Sequence, residues 1–203
     1  MKKILLESFY LAPIQYYSKL LNYKALIEVN ENYTKQTYRN RCKIYSANGI
    51  QTLSIPVKNE KKQKTLVKDV KISYETNWQK QHYKSIKSAY GRSPFYEYFI
   101  DEIKIFYFKK YKFLLDFNTE FQNLIIENLE IENNFSFTKN YISKYQFDIL
   151  DFRGKISPKK KLADNEFLMK NYIQVFENKF GFKSNLSIID LLFNEGPNAI
   201  SFL

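Results

Sequence analysis

Short apolar runs separated by polar breaks dominate the first thirty residues of the chain. Residues 2–8 and 25–29 are apolar runs of strand length, so we predict a strand at each. Between them, Pro13 suits the first turn of a helix, and apolar residues recur at helical spacing from Ile14 to Leu21. The pattern therefore predicts a β-α-β unit at the start of the chain.

Strand patterns continue up to residue 72. Residues 44–57 contain two apolar runs around Asn48-Gly49, which is a strong signal for a β-hairpin. Basic residues alternate with other side chains over 35–43, and apolar residues alternate over 66–72, so we expect a strand in each range. The hairpin and these two strands make the N-terminal half rich in strands.

Helical spacing replaces the strand pattern after residue 76. Trp78, His82, Ile86 and Tyr90 lie four positions apart, so they stack on one face of a helix over 77–90. Because this face is largely aromatic, we expect it to point toward the interior or toward a cleft.

Three further helices are expected in the second half of the chain. One begins at Ser93-Pro94, because proline suits the first helical turn. Another covers 119–130 and is capped by Asn118, and a closing helix covers 186–193.

The remaining segments complete the fold prediction. Residues 135–142 form an apolar run that we predict to be a strand, and 143–165 has the charged composition of an extended loop. Strands therefore come first and helices later. We predict a mixed α/β fold in one domain over residues 1–203, with a strand-rich N-terminal half and a helix-rich C-terminal half.

The segment from Lys35 to Lys43 is the clearest candidate for a binding site. Lys35, Arg39, Arg41 and Lys43 all occupy odd-numbered positions, so on a strand they would share one face. The chain contains only four arginines, and two of them lie here. Because arginine suits bidentate contacts with phosphate or carboxylate, we predict that this face binds an anion.

The same cations also have a structural interpretation. Glu28 and Glu31 lie just before the segment, and ion pairs with Arg39 and Arg41 would make the whole cluster part of the fold. If the arginines hold a substrate instead, Glu28 or Glu31 could act as a general base. At the level of the sequence both alternatives stay open.

Charge and composition narrow the class of protein. The chain has a net charge of +11, and the excess lies in residues 1–75, which hold 14 Lys and Arg against 6 Asp and Glu. This basic third fits a phosphate-bearing small molecule, and the sequence shows no recognisable nucleic-acid motif. No apolar run approaches the roughly 20 residues that span a bilayer, so we expect a cytoplasmic protein without membrane insertion.

The sequence contains few signals of a metal or cofactor site. A single histidine and a single cysteine provide no ligand set, so we expect no metal site, and we interpret Cys42 as a small core residue. The scattered glycines form no phosphate-binding loop, and no cofactor is identified. An anionic donor group would be held by side chains or by the turn before the Pro13 helix.

Six short motifs follow one another along nearly the whole chain. They are Pro13-Ile14-Gln15-Tyr16-Tyr17, Lys35-Gln36-Thr37-Tyr38-Arg39-Asn40-Arg41-Cys42, Leu53-Ser54-Ile55-Pro56-Val57, Trp78-Gln79-Lys80-Gln81-His82, Ala89-Tyr90 with Ser93-Pro94-Phe95, and Leu191-Leu192-Phe193-Asn194-Glu195-Gly196-Pro197. This ordered set resembles the WbqC-like protein family. The resemblance implies a cytoplasmic protein of bacterial surface-polysaccharide (O-antigen or capsule) gene clusters. It also implies a transferase-like step on an amino sugar, such as N-acylation with an amino acid.

The first functional hypothesis is a transferase that acts on a nucleotide-linked amino sugar. Lys35, Arg39 and Arg41 would bind the anionic part of the substrate, Asn40 would orient it, and His82 would act as acid or base. Further candidates for substrate contacts are Tyr38, Tyr90 and Asn194. Each of these three also suits a packing or capping role.

The second hypothesis is a non-catalytic protein that binds nucleic acid or another phosphate-bearing ligand through the basic N-terminal third. We favour a small anionic substrate, a nucleotide sugar, over nucleic acid as the partner. Under the first hypothesis, His82 and the cations of 35–43 should line one cleft. Burying these cations unpaired against an apolar helix would cost several kcal/mol for each charge.

Overall fold

The computed structural model describes residues 1–58, 64–143, 148–159 and 164–203. Its strands are β1 (Lys3–Glu7), β2 (Lys24–Glu28), β3 (Arg41–Ser46), β4 (Gly49–Ser54), β5 (Phe135–Phe137) and β6 (Ile149–Asp151). Its helices are α1 (Ile14–Asn22), α2 (Trp78–Tyr90), α3 (Tyr96–Phe108), α4 (Leu114–Asn128), α5 (Glu177–Phe180) and α6 (Ile188–Glu195). Two 3-10 helices cover Val67–Asp69 and Gly196–Phe202. The mixed α/β class predicted from the sequence is confirmed.

A four-stranded parallel sheet organises the fold, with the strand order β5-β2-β1-β6. The expected β-α-β unit is present as β1, α1 and β2, and the two strands pair from Lys3 opposite Lys24 to Glu7 opposite Glu28. Because β1 and β2 are the central strands, their side chains are mostly buried on both faces. This explains why both strands have continuous apolar sequences.

The strand order creates a topological switch point between β1 and β6. From β1 the chain passes through α1 to β2 and later to β5, all on one side of β1. It then returns to place β6 against the opposite edge of β1. In open parallel sheets, ligands bind beyond the carboxyl ends of the strands at such a point. The segments that follow β1 and β6 are therefore where a site is expected.

The hairpin expected at Asn48-Gly49 is confirmed as the antiparallel pair β3 and β4. Gly49 has a φ of 96°, a left-handed conformation that glycine adopts readily in a tight turn. Cys42 and Ile44 are fully buried on the inner side of β3, which packs against α2. Cys42 is therefore a core residue, as the sequence indicated.

Aromatic side chains form much of the core between α2, α3 and α4. The rings of Phe106 on α3 and Phe121 on α4 are stacked with their centroids 4.2 Å apart. Trp78 of α2 packs edge-on against Phe117 of α4 at 5.7 Å. The helix expected over 77–90 is confirmed as α2, and its aromatic face points into this core.

Two of the expected N-terminal strands are wrong. The strand expected over 35–43 begins only at Arg41, because residues 35–40 form bends and turns in which Gln36 has a φ of 61°. Residues 66–72 form a 3-10 turn and isolated bridges rather than a strand. Here the backbone N–H of Val67 bonds to a loop carbonyl, that of Glu31, instead of to a neighbouring strand.

Element boundaries differ in the second half of the chain. Helix α4 begins four residues before Asn118, so Asn118 lies buried inside the helix and does not cap it. The strand expected over 135–142 ends at residue 137, and the range 143–165, expected as a loop, contains β6. Because β6 has only three residues, its sequence has no clear alternation, and pairing with β1 defines it. The closing helix is confirmed as α6.

Candidate functional site

Arg39, which has the strongest anion-binding signal in the sequence, is buried in an ion-pair cluster. Its side chain is 4% exposed, and its Nη2 donates to Oε1 of Glu7 and, at 2.5 Å, to Oε1 of Glu31. Its Nε also donates to Glu31 Oε1 at 3.2 Å, and its Nη1 donates to Thr37 Oγ1 at 3.2 Å. The protein itself therefore satisfies the guanidinium. We call Glu7, Glu31 and Arg39 the Arg39 cluster.

The Arg39 cluster also ties distant segments together. Oε2 of Glu7, at the end of β1, accepts a hydrogen bond from the backbone N–H of Gly154 at 2.9 Å. Asn118 Nδ2 on α4 donates to the backbone carbonyl of Arg39 at 2.8 Å. Burial raises the pKa of Glu31, and Arg39 opposes that rise. This arrangement matches the structural alternative for Arg39, with Glu7 as a partner that the sequence did not single out.

Glu28 lies in a second buried cluster at the end of β2. Its Oε1 accepts hydrogen bonds from the backbone N–H of Asn30 and from Thr138 Oγ1, both at 2.8 Å. Its Oε2 accepts the backbone N–H of Ile142 at 3.2 Å and lies 3.3 Å from Nη1 of Arg153. Because both oxygens are occupied and the residue is fully buried, the geometry does not favour Glu28 as a general base.

His82 lies in the aromatic core. Its ring stacks on Tyr10 at 5.7 Å and meets Trp78 edge-on at 5.1 Å. Its Nδ1 is 3.0 Å from the hydroxyl of Tyr10, which is itself 2.8 Å from the hydroxyl of Tyr107. Burial lowers the pKa of His82 to about 4, so the ring is neutral near pH 7. Core packing therefore replaces the cleft that we expected His82 to share with residues 35–43.

Tyr90 and Asn194 both belong to a buried network around Asp190 on α6. Oδ1 of Asp190 accepts from Tyr90 OH at 2.8 Å, and Oδ2 accepts from Tyr172 OH at 2.5 Å and from Gln174 Nε2 at 2.9 Å. Asn194 Nδ2 donates to the backbone carbonyl of Asp190 at 2.7 Å. Burial raises the pKa of Asp190 to about 6, although these side-chain hydrogen bonds act against the rise. In this structure Tyr90 and Asn194 therefore hold α6 in place.

The remaining residues of the basic segment have separate environments. Lys35 is exposed, and Arg41 is half-buried at the start of β3. Asn40 is buried, and its Nδ2 donates to a backbone carbonyl at 2.7 Å. Tyr38 is buried beneath a cavity that it lines together with Lys43. Of the residues predicted to bind an anion or to contact the substrate, the structure therefore brings Tyr38 and Lys43 to this cavity.

The cavity, with a volume of about 590 Å³, opens beyond the carboxyl ends of β1 and β6. Four lysines from three parts of the chain line it: Lys43 of the hairpin, Lys155 and Lys159 after β6, and Lys183 before α6. We call it the lysine cavity. Its volume lies within the range of about 300–1,000 Å³ that is usual for small-molecule sites.

The fold supports several of these lysines from below. Lys43 Nζ donates to the carbonyl of Pro158 at 2.9 Å, and Lys183 Nζ donates to the carbonyl of Phe180 at 2.5 Å. Lys155 Nζ lies 4.9 Å from the ring centroid of Phe152. The carbonyls and the ring are neutral groups that orient the ammonium groups. The cavity therefore concentrates positive potential, which attracts anions.

Asp164 supplies a fixed negative charge at the same cavity. It accepts a hydrogen bond from Gln15 Nε2 at 2.7 Å, and it lies 2.9 Å from Nζ of Lys19, a residue that is 1% exposed. Burial acts to raise the pKa of Asp164, but the hydrogen bonds from Gln15 and Lys19 hold it below its usual value. The carboxylate therefore stays ionised at neutral pH.

The first turn of α1, considered above for an anionic donor group, already has backbone partners. The N–H of Ile14 donates to the carbonyl of Leu186 at 3.0 Å, and the N–H of Gln15 donates to Asn185 Oδ1 at 3.0 Å. These donors are used within the protein. An anion in the lysine cavity would consequently be held by side chains.

Sequence reasoning did not identify Lys155, Lys159, Lys183 or Asp164. Each is one charged residue among many, and no local spacing distinguishes it. The available signal was indirect, because a strand at 149–151 would have placed the next residues at the carboxyl edge of the sheet. The pairing of β6 with β1 places Lys155 and Lys159 at the cavity, and the segment before α6 adds Lys183.

Neither a metal-binding cluster nor a membrane-spanning helix is found in the described ranges. No group of three or more His, Cys, Asp and Glu residues there could hold a metal ion. Among the helices of the same ranges, none is both long enough and apolar enough to span a bilayer.

Comparison with known proteins agrees with the resemblance seen in the sequence. No curated protein and no solved structure matches the chain. The WbqC-like protein family matches residues 8–156 of the 203, a range that runs from the end of β1 into the segment after β6. That range includes α1 to α4, Glu31 and Arg39 of the Arg39 cluster, and part of the lysine cavity. The chain therefore belongs to the WbqC-like protein family, a membership compatible with a role in polysaccharide-related biosynthesis.

Proposed function

We propose that this protein is a cytoplasmic transferase that binds a nucleotide-linked amino sugar in the lysine cavity and acylates its amino group. The product would enter a bacterial surface polysaccharide. The observation that carries the proposal is the convergence of Lys43, Lys155, Lys159 and Lys183 at the switch point of the sheet. Family membership supports the pathway.

The lysine cavity suits the three parts of such a substrate. Lysine ammonium groups complement the two phosphates of a nucleoside diphosphate. Tyr38, Phe167 and Phe182 also line the cavity and offer aromatic surface on which a base or a sugar ring can lie. The ionised Asp164 can accept hydrogen bonds from sugar hydroxyls or from an amine. A mixture of apolar walls and a few fixed polar groups is typical of small-molecule sites.

The proposed reaction is acyl transfer to nitrogen. The amine of the sugar attacks the carbonyl carbon of an activated acyl donor, a C–N bond forms, the bond to the leaving group breaks, and the nitrogen loses a proton to solvent. In this scheme Asp164 orients the amine. We prefer it to Glu28, Glu31 and His82, because Asp164 lines the lysine cavity and the other three do not.

Calorimetric titration with a panel of uridine, thymidine and guanosine diphosphate sugars tests the binding step. We expect one member to bind with a dissociation constant in the micromolar range, on the order of −8 kcal/mol. The double variant Lys155→Gln/Lys159→Gln should bind it at least about tenfold more weakly, since two phosphate contacts are lost. Lys84→Gln, an exposed lysine on α2, is the matched control and should bind normally.

Two results would contradict the proposal at this step. One is the absence of binding by the whole panel, and the other is normal binding by the double variant. Turnover is measured separately, by mass spectrometry after incubation of the bound amino sugar nucleotide with acyl thioesters. Binding without any acylated product would favour the non-catalytic alternative. Steep salt-dependent binding of oligonucleotides in place of nucleotide sugars would favour a nucleic-acid partner.

A further inference from the structure

Helix α3 exposes a row of large apolar side chains at the protein surface. Tyr98 is 72% exposed, Ile105 is 58% exposed and Phe108 is 75% exposed. Their spacings of seven and three residues place them along one face of the helix. We call them the middle stripe. Exposed Asp101 and Glu102 occupy the turn between Tyr98 and Ile105. A row of large apolar side chains exposed on one helix face and flanked by polar residues favours a surface that binds another molecule.

The two neighbouring helices carry opposite charges beside the middle stripe. Exposed lysines at helical spacing form a basic stripe on α2: Lys80, Lys84 and Lys87. Exposed acidic and amide residues at helical spacing form an acidic stripe on α4: Asp116, Glu120, Asn123 and Glu127. The surface is therefore basic on one flank, apolar in the centre and acidic on the other flank.

Contacts place α2 and α4 on opposite sides of α3. The ring of Tyr83 on α2 packs against that of Phe108 at 5.9 Å. On the other side, Asn128 Nδ2 of α4 donates to Glu102 Oε2 at 3.2 Å. Successive residues are rotated by about 100° around the helix axis, so Phe108 lies on the α2 side of the middle stripe and Glu102 lies on its α4 side. The three helices therefore form one layer with α3 in its centre.

We propose that this layer is the interface of a homodimer, in which a second copy of the chain packs on the first about a twofold axis parallel to α3. Such an axis sets the middle stripe of one copy on that of the other. It also places each basic stripe opposite the acidic stripe of the partner. A twofold axis across α3 would instead face lysines with lysines and carboxylates with carboxylates, which is repulsive. The charge pattern therefore selects both the partner and the axis.

The heights of the charged residues match across the proposed axis. Helices α2 and α4 both run antiparallel to α3. Gln79, near the start of α2, donates to the carbonyl of Lys109 just past the end of α3. Along α4, Glu120 lies near Lys109 and Asn128 lies near Glu102. The ring of Tyr83 lies near Phe108. Lys87, about one turn beyond Tyr83, therefore lies near the level of residue 104, and Glu127 lies near that of 103. Because a parallel twofold preserves height, Lys87 would meet Glu127 of the partner subunit.

A second pair follows from the same geometry, two turns away. Glu120 lies 2.9 Å from Lys109 at the end of α3, and Lys80 lies at about that level on the opposite flank. Asp101 also faces the middle stripe, and its ion pair with Lys104 at 2.5 Å offsets repulsion between the two copies. The charges on the two flanking helices are thus arranged for mutual attraction.

The size of the layer sets the expected strength of association. A helix of 13 residues is about 20 Å long, and three helices side by side are about 30 Å wide, so each copy would bury roughly 600 Å². Stable interfaces bury about 800 Å² per partner. We therefore expect a reversible dimer with a dissociation constant in the micromolar range.

Sedimentation velocity of the full chain, from about 5 to about 500 µM, tests the proposal around the expected micromolar constant. The wild-type protein should shift from monomer to dimer across this range, and Ile105→Asp should stay monomeric. The control is Leu168→Asp, because Leu168 is 84% exposed outside the layer, and this variant should dimerise normally. A wild-type monomer at the highest concentration, or a dimer that Ile105→Asp leaves intact, would overturn the proposal.

Charge reversal tests the axis. Lys87→Glu and Glu127→Lys should each dimerise about tenfold more weakly, because each homodimer sets like charges against each other twice. An equimolar mixture of the two variants should form a heterodimer at least as strong as wild type, because both contacts are then attractive. Circular dichroism melts show whether each variant is folded. If the mixture associates no better than either variant alone, the parallel twofold axis is wrong.

Discussion

Two groups of cations lie at the carboxyl end of the same parallel sheet, and they differ in what compensates their charge. Arg39 is buried and is held by two carboxylates of the protein, Glu7 and Glu31. Lys155 and Lys159 are exposed around a cavity that holds one carboxylate already bound to Lys19. The first group is complete within the fold. The second faces a cavity that is open to solvent.

The difference shows that the density of positive charge along the chain is a poor guide to a site. A buried cation must have a partner, since an unpaired one costs several kcal/mol, so the most deeply placed arginine is also the one least available to a ligand. Exposed lysines keep their hydration and can exchange water for phosphate. The comparison leads to four predictions, given from the largest expected effect to the smallest.

Removing the guanidinium of Arg39 should lower the stability of the fold and leave ligand binding unchanged. Arg39→Met leaves Glu7 and Glu31 buried without their cation, so the free energy of unfolding should fall by about 3–5 kcal/mol. Chemical denaturation measures it. The control is Arg92→Met, an exposed arginine whose loss should change stability by less than about 0.5 kcal/mol. A stable Arg39→Met protein that no longer binds the nucleotide sugar would return Arg39 to the binding site.

Asp190 is a buried carboxylate that accepts hydrogen bonds from neutral groups instead of from an arginine, and its stability effect should therefore depend on pH. Its pKa is 3.8 without burial and about 6 in the folded protein, so the folded state binds more protons between these values. Wild-type stability relative to Asp190→Asn should therefore fall by about 3 kcal/mol as pH rises from about 4 to about 6. Urea unfolding at several pH values measures this difference. A constant difference would show that Asp190 ionises normally in the fold.

His82 should show the opposite slope in nearly the same pH range. Its pKa is 6.5 without burial and about 4 in the core, so the unfolded chain binds the extra proton between these values. Wild-type stability relative to His82→Phe should therefore fall by about 3 kcal/mol as pH drops from about 6.5 to about 4. Unfolding curves test this, and nuclear magnetic resonance of the imidazole checks its pKa directly. A His82 that titrates near 6.5 would be accessible to solvent and would be restored as a candidate acid or base.

Replacing the lysines of the cavity should have almost no effect on the stability of the protein. Lys155→Gln/Lys159→Gln should change the free energy of unfolding by less than about 0.5 kcal/mol, because exposed lysines contribute little to the fold. Thermal melts measure this effect. Added nucleotide sugar should stabilise the wild-type protein and not this variant, since ligand binding stabilises only a protein that binds it. A large loss of stability without ligand would mean that these lysines, like Arg39, are part of the fold.

Much of the fold could be predicted from local patterns in the sequence. The β-α-β unit follows from apolar runs around Pro13, and the hairpin follows from Asn48-Gly49, because both depend on neighbours within a few residues. Helix α2 was equally visible in its i, i+4 aromatic face. The family resemblance, which the match over residues 8–156 confirms, also came from motifs of a few residues.

Tertiary structure alone decided where the charges are. The alternation over 35–43 predicted a strand with a cationic face, but residues 35–40 turn, and Arg39 enters the interior toward Glu7. No local pattern could indicate this, because Glu7 lies 32 positions away along the chain. Strand β6 was missed because three residues acquire strand geometry only by pairing with β1. That pairing also places Lys155 and Lys159 at the lysine cavity, beside Lys43 and Lys183 from other parts of the chain. These charges act together although they are distant in sequence, because Coulomb interactions depend on separation in space.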